Sequence, residues 1–480
     1  NRLNKTVGMK LLYKMKNMYF RQYLVVFAIN LNCVSFGLGT TWPSPVLVKL
    51  ANDTESVLGK PLEQDEGSWI VSTSFLTGSL GYVVSSALVD FIGRKQCVIM
   101  SSVVRMAAAL LFLFARDVWM LILGRAIVGL SEGIILSVIP VYASEIASKE
   151  IRGALGVMLQ IFTSIGSVIM LSVGPFISYF NLNLMFTLFT LVTSIPTIFL
   201  PDSPNFLYSK GREEEAKKVL IFLRGSEFNA HEELKEYSTN RNDEKSSLLR
   251  IFRNKMFQKS LGKSGFIIII LYLIGFNCVM TYLQTILDIT QTNIRSEVAS
   301  GIIGAINLLA SFSTLMTTDR FGRKPILICT LLGMLVGMVG LGVYFKLSDM
   351  GAEVSGFMNY LPLVSLLLIV LCYSGGLGSL LWVVIAELFD DRSRGIGMAT
   401  TLLIGIVPSF LTLRYFSPLI DILGPAPVFW ASAVFCAVLA MFVALRLPET
   451  KGKSFAEIQH ALGNNSVTNP QTFELTPRIE

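Results

Sequence analysis

Apolar positions in this chain neither alternate nor recur on one helical face. They run on, as in Phe266-Ile-Ile-Ile-Ile-Leu-Tyr-Leu-Ile274, until a short polar stretch interrupts them. About 20 such residues are needed for a helix to cross the roughly 30 Å apolar core of a bilayer. Twelve stretches satisfy this: 23–48, 67–90, 96–115, 118–142, 154–177, 181–200, 264–288, 298–319, 325–347, 359–386, 396–420 and 425–447. The pattern predicts an all-α membrane protein with twelve transmembrane helices. Between the sixth and seventh spans the chain turns polar from Pro201 to Gly262, where GREEEAKKVLIFLRG and HEELKEY place Glu before Lys at helical spacing and read as short amphipathic helices. The expected domains are a cytosolic N-terminus (1–22), an N-terminal six-helix bundle (23–200), a cytosolic helical linker (201–263), a C-terminal six-helix bundle (264–447) and a cytosolic tail (448–480).

Composition agrees. The 480 residues are 52% hydrophobic and 15% charged, with mean hydropathy +0.60; soluble domains carry about 25% charged residues. The net charge of +7 has a membrane explanation. Arg2, Lys5, Lys10, Lys14, Lys16 and Arg21 precede the first span, with no small-residue cleavage site after it. Arg94/Lys95, Lys149/Arg152, Arg320/Arg323/Lys324 and Arg392/Arg394 fall in alternate loops, whereas the other loops hold little beyond Lys49, Lys60, Arg116, Arg295 and Lys346. This is the positive-inside asymmetry. It predicts both termini in the cytosol and gives no reason to invoke nucleic acid. Cys33, Cys97, Cys278, Cys329, Cys372 and Cys436 lie in or beside spans without metal-binding spacing. His231 and His460 sit in polar segments. No catalytic residue, metal ligand or cofactor is expected, and no Walker loop is present to use ATP.

The two halves repeat. Asp90-Phe-Ile-Gly-Arg-Lys95 follows the second span and Asp319-Arg-Phe-Gly-Arg-Lys324 the eighth. Glu145 precedes Arg152 after the fourth span at the spacing that separates Glu387 from Arg394 after the tenth. Four motifs in matching positions indicate internal duplication. Positive-inside orientation accounts for the basic residues but not for acidic partners at repeated spacing. Asp90, Arg94, Glu145, Arg152, Asp319, Arg323, Glu387 and Arg394 are therefore expected to form a charge network that gates the inner mouth.

These motifs resemble the sugar-porter family of the major facilitator superfamily, and its insect facilitated trehalose transporter branch in particular. The resemblance also rests on Gly67-Ser-Trp69, Gly124-Arg125 with Gly129 and Gly133, Tyr142-x-x-Glu145, Pro201-Asp-Ser-Pro204 and Pro448-Glu-Thr-Lys-Gly452. It implies two six-helix bundles with a central site between them and alternating access by rocking. It further implies that Gln160, Asn277, Asn307 and Trp382 contact a sugar and that Tyr282 gates the site. Amides that donate and accept and an aromatic face suit a sugar; taken singly, each amide is equally compatible with interhelical packing.

The departures bear on the cargo. The family writes Gln-Gln-Leu-Ser-Gly-x-Asn where this chain has Leu271-Tyr-Leu-Ile-Gly-Phe-Asn277. Its eleventh-span Asn-Trp falls on Gly405 and Ile406. Its tenth-span Gly-Pro-x-Pro-Trp has become Gly378-Ser-Leu-Leu-Trp382, and the Arg after Pro-Glu-Ser-Pro is Asn205. Three lost amides remove about 1.5–4.5 kcal/mol of hexose binding at about 0.5–1.5 kcal/mol each. Without its prolines the tenth span is expected to be a more continuous helix. The family's proton symporters carry an acid in the first span where Ser35-Phe-Gly-Leu-Gly-Thr-Thr-Trp42 has glycine, so facilitated, uncoupled transport of a sugar such as trehalose or a hexose is expected, in the plasma membrane. Two alternatives stand beside it: a same-fold carrier of a less hydroxylated organic solute, and a non-transporting sensor. Asn52-Asp-Thr54 is a glycosylation sequon in a predicted outer loop.

Overall fold

The computed structural model describes residues 2–51, 57–148, 151–227, 231–234, 248–290, 294–351, 356–390 and 393–449; the side chains of 2–17, 152–157, 248–250, 315–321, 357 and 379 are outside that description. Asn52 and His460 therefore lie outside the described residues. Among the described residues, twelve helices are long and apolar enough to cross a membrane: Met18–Ala51, Gln64–Ile92, Arg94–Leu113, Val118–Ile146, Met158–Phe176, Tyr179–Ile198, Lys255–Thr281, Ser296–Thr314, Arg323–Asp349, Met358–Glu387, Arg394–Leu423 and Pro425–Arg446. They are numbered here as spans 1 to 12. Among the described residues there is no strand.

Local chemistry sets the ends. Glu63 and Glu66 form a capping box that starts span 2, and the Asn254 side chain accepts from Met256 N at 2.9 Å to start span 7. Spans 2 and 3 turn at Gly93 (φ 93°), spans 8 and 9 at Gly322 (φ 84°). Both are the glycine of a D-x-x-G-R-K loop, and only glycine adopts that backbone freely. Glu449, from the Pro-Glu-Thr-Lys-Gly motif, accepts from Arg323 N (2.9 Å) and Lys324 N (3.1 Å) at the start of span 9. That satisfies orphan donors where a carboxylate is favoured by the helix dipole.

A small cluster of Leu207, Ala216, Leu220 and Leu234 lies in the segment between spans 6 and 7, and the buried side chains of the spans gather in two cores. One is drawn from spans 1–6, where Trp42 stacks on Phe112 at 4.2 Å and donates Nε1–H to Asn183 Oδ1 at 2.8 Å. The other is drawn mainly from spans 7–12 and includes Phe345 stacked on Phe429 at 5.6 Å. The segment between spans 6 and 7 docks on the base of the first half. Arg224 donates to Ile146 O and pairs with Glu233 through two bonds of 2.8 and 2.9 Å, while Gln22 donates to Leu223 O at 3.1 Å.

Two spans are broken. Span 7 stops at Leu273, passes through Gly275 in the left-handed region (φ 77°), and resumes as Phe276–Thr281 and Leu283–Ile289. Span 10 is not the continuous helix expected from its missing prolines: a π-turn at Tyr373–Leu377 separates Leu361–Cys372 from Gly378–Glu387. Glycine replaces proline as the cause. Gly376 lets the backbone approach Thr330 so closely that a Cβ would lie 2.7 Å from Thr330 Cγ2, and a Cβ on Gly378 would meet the Tyr373 ring at 2.8 Å. Thr314 Oγ1 donates to the Ser374 carbonyl at 3.0 Å, supplying a donor where the ladder is disturbed.

Among the described residues, four polar contacts join the two halves at mid-span or at the end away from the D-x-x-G-R-K loops. Arg414 of span 11 pairs with Asp65 of span 2 at 2.5 Å, with its guanidinium 4.8 Å from the Trp69 ring centre. Gln64 donates to Ser417 (2.6 Å), Gln284 N donates to Ser44 (3.1 Å), and Ser164 bonds Ser311 (2.7 Å). At the basic end the ion pairs Arg94–Glu145 and Arg323–Glu387 each lie within one half.

Candidate functional site

The break in span 7 explains what its amide does. Asn277 lies just past Gly275, half-buried, and bonds to nothing among the described residues. An amide in an apolar span without an interhelical partner is not packing glue. Tyr282 is buried, stacks on Phe416 at 5.4 Å, and leaves its hydroxyl unbonded among the described residues near Ser68 and Arg414. It stands at the end where the halves meet. Gln160 is half-buried and also without a protein partner, and Trp382 packs its ring on the second core. Asn307 is engaged: its Oδ1 accepts from Ser374 at 2.6 Å, tying span 8 to the π-turn of span 10. Its Nδ2 is neither bonded nor sealed. No bond or ring contact among the described residues joins Gln160, Asn277 and Trp382 to one another.

The positions that depart from the sugar-porter pattern are linked to each other. A Cβ on Gly405 would lie 2.7 Å from the Tyr272 ring. The tyrosine in place of one glutamine thus occupies the space that glycine in place of asparagine vacates. Leu271 is buried, and Phe276 stacks face to face on Tyr373 at 3.4 Å.

At the basic end, Arg94 pairs with Glu145 at 3.0 Å and with Asp90 at 3.5 Å, over the Phe206 ring. Glu145 also accepts from Ser203 and, at 3.3 Å, from Asn205. The residue in place of the family's arginine therefore joins the same carboxylate. Arg323 pairs with Glu387 at 3.7 Å, and Arg394 donates to Ala386 O at 3.2 Å. The side chains of Arg152 and Asp319 are outside the description. The observed pairs run within each half and not between halves. Beside this network, burial holds the Asp202 carboxyl above the usual aspartate range.

Other polar groups lie inside the spans. Arg125 is fully buried and gives its donors to Gly39 O (2.9 Å), Ser74 Oγ (2.6 Å) and Ile70 O (3.3 Å). Arg105 is equally buried and donates to Asn32 O (3.2 Å) and Ser35 Oγ (3.1 Å), with Nε and Nη2 unpartnered among the described residues. Glu132, in the middle of span 4, places Oε1 3.0 Å from where Gly39 would carry a Cβ, sealed and without a partner. The available signal was the carboxylate itself, since an acid in a membrane span marks function by default. The Arg414–Asp65 pair left no such signal, because its members are remote in sequence and each looks like a loop-proximal charge.

Residues 35–462 match the family model described as sugar (and other) transporter. The chain is 27% identical over 448 residues to the facilitated trehalose transporter Tret1 of Polypedilum vanderplanki, covering 92% of this chain and 88% of that one. It is 28% identical over 461 residues to human solute carrier family 2, facilitated glucose transporter member 6, covering 92% and 90%. The inward-open structure of the xylose transporter XylE from E. coli superimposes with TM-score 0.76 at 21% identity, covering 92% of this chain and 99% of that one.

Proposed function

The chain belongs to the sugar transporter family of the major facilitator superfamily, and from that premise we propose that it is a facilitative carrier of a sugar such as trehalose or a hexose. The two sets of six spans act as units that rock about a central site. Gln160, Asn277, Asn307 and Trp382 contact the cargo, and Tyr282 closes over it. Carriage is uncoupled, both termini are cytosolic, and the carrier works in the plasma membrane. The basic end then faces the cytosol, with Asp90, Arg94, Glu145, Arg152, Asp319, Arg323, Glu387 and Arg394 as the inner gate.

The observation that carries this reading is the asymmetry of contacts. The halves are bonded at mid-span and at the outer end, through Arg414–Asp65, Gln64–Ser417 and Gln284–Ser44, while at the inner end Arg94–Glu145 and Arg323–Glu387 stay within each half. That is what an alternating-access carrier requires when closed outside and open inside. It gives a non-transporting sensor no evident use for a broken span 7 with an unpaired Asn277. The test is uptake of labelled trehalose and glucose by the purified chain in liposomes, with and without a pH gradient. The reading expects saturable entry that stops at equal concentrations. No entry of any sugar, or accumulation driven by the pH gradient, would contradict it.

A further inference from the structure

Four polar groups that the family frame does not assign lie around one space between the halves. Tyr82 of span 2 interacts electrostatically with Glu132 of span 4 and with Tyr272 of span 7, and Tyr272 interacts with Tyr373 of span 10. All four side chains are half-buried. The three phenol hydroxyls and Glu132 Oε2 are not sealed from solvent, and none bonds to another group among the described residues. Half-buried polar groups that interact with groups of the other half face the space between the halves. Two of the groups belong to each half, so the cavity they line is the one between the bundles.

The rings have a definite arrangement. Tyr272 fills the gap at Gly405, and Phe276 lies flat on Tyr373, interplanar angle 8°. The second half thus offers aromatic surface where the sugar-porter pattern has amides. Glu132 faces it from the first half as a carboxyl group able to hydrogen-bond hydroxyls. Arg105 and Arg125 stand behind Glu132 and interact with it, so the cluster as a whole is not negative and does not suit a cation.

We propose that this surface, Glu132 and Tyr82 on one side and Tyr272, Phe276 and Tyr373 on the other, selects a cargo with a hydroxylated face and a flat apolar face, an aryl-substituted sugar in preference to a free hexose. Hydroxyls meet the carboxylate and the phenols; the flat face lies on the rings in the offset or edge-on geometries that aromatic pairs favour. The proposal rests on the carrier reading above and names the class of solute for that same site.

The test is competition for uptake by the full chain in liposomes, using D-glucose, trehalose and phenyl β-D-glucoside, with tetramethylammonium as the cationic control. Phenyl β-D-glucoside is expected to half-saturate at a concentration about tenfold below that of glucose, about 1.4 kcal/mol. The double variant Tyr272→Gln/Gly405→Asn is expected to erase that preference, with an unchanged Tm showing that it folds. Equal competition by glucose and phenyl β-D-glucoside overturns the proposal while leaving the carrier reading intact. So does stronger competition by tetramethylammonium than by either sugar. If no sugar enters or competes at all, the carrier reading falls, and this proposal with it.

Discussion

Arg414→Ala removes the contact that most directly holds the two halves together at the end away from the D-x-x-G-R-K loops, the outer end in the proposed orientation. Arg414 is largely buried and Asp65 is 65% exposed, so their ion pair contributes only about 0.2–1 kcal/mol after solvent screening. The guanidinium 4.8 Å above the Trp69 ring adds about 0.5–1 kcal/mol. Together they bias the outer end toward closure by about 1–2 kcal/mol, a factor of about 5–30 in the equilibrium. Gln64–Ser417 and Gln284–Ser44 remain, so the variant should still close, but less often. The assay uses Ser68→Cys, a fully buried position beside Tyr282, in a background without the exposed Cys329 and the half-buried Cys372. A membrane-impermeant maleimide added from outside reads the opening. Arg414→Ala should raise the labelling rate about 5–30-fold, and Arg414→Lys, which keeps charge but loses the planar stacking geometry, should give an intermediate rate. An unchanged rate in a variant with unchanged Tm would refute the reasoning, because the contact would then exist without biasing the two states.

Asn277→Ala should cut sugar flux at least about tenfold with Tm nearly unchanged, since the amide has no protein partner to lose; equal loss of Tm and flux would make it a packing residue. Gly133→Ala should destabilise the first half by about 1–3 kcal/mol, because the new Cβ would lie 1.9 Å from Gly78 O; a thermal unfolding scan checks this. Asp202→Asn should raise Tm at neutral pH. The carboxyl is held above its ordinary value of 3.8 by burial, and Oδ1 is sealed without a partner among the described residues. The native state therefore binds the proton more tightly than the unfolded chain. Ionisation weakens the fold as pH rises above 3.8, so the advantage of Asn should vanish below that value; a Tm difference independent of pH would contradict this.

Much of the architecture was legible because it is written locally. A membrane span shows itself as a run of apolar residues, and the paired D-x-x-G-R-K loops show the duplication and, through Gly93 and Gly322, the turn each needs. The breaks were harder to read. Gly275 is visible, but its left-handed backbone is decided by the helices on either side. Span 10 was expected to straighten without proline, yet close approach of Thr330 to Gly376 and the Tyr373 ring against Gly378 accompany a π-turn instead. Pairing between remote residues was not legible. Nothing near Gly405 announces that the Tyr272 ring fills its space, and nothing near Asp65 announces Arg414. Asn307 falls on a contact position of the family, but its Oδ1 already accepts from Ser374, a partner 67 residues away that no local pattern announces. Glu132 was overlooked because a single acid scarcely changes the apolar run around it, although its cost in a span made it the strongest local clue to a site.

The central claim is alternating access of a sugar site, and counterflow tests it most directly. Liposomes holding the purified chain are preloaded with unlabelled trehalose or glucose and diluted into a trace of the labelled sugar at one pH. The account predicts a transient overshoot of label inside, because one site returns inward loaded each time it exports, with the overshoot abolished by Asn277→Ala. Label that merely equilibrates at the same rate with and without preloading would contradict it.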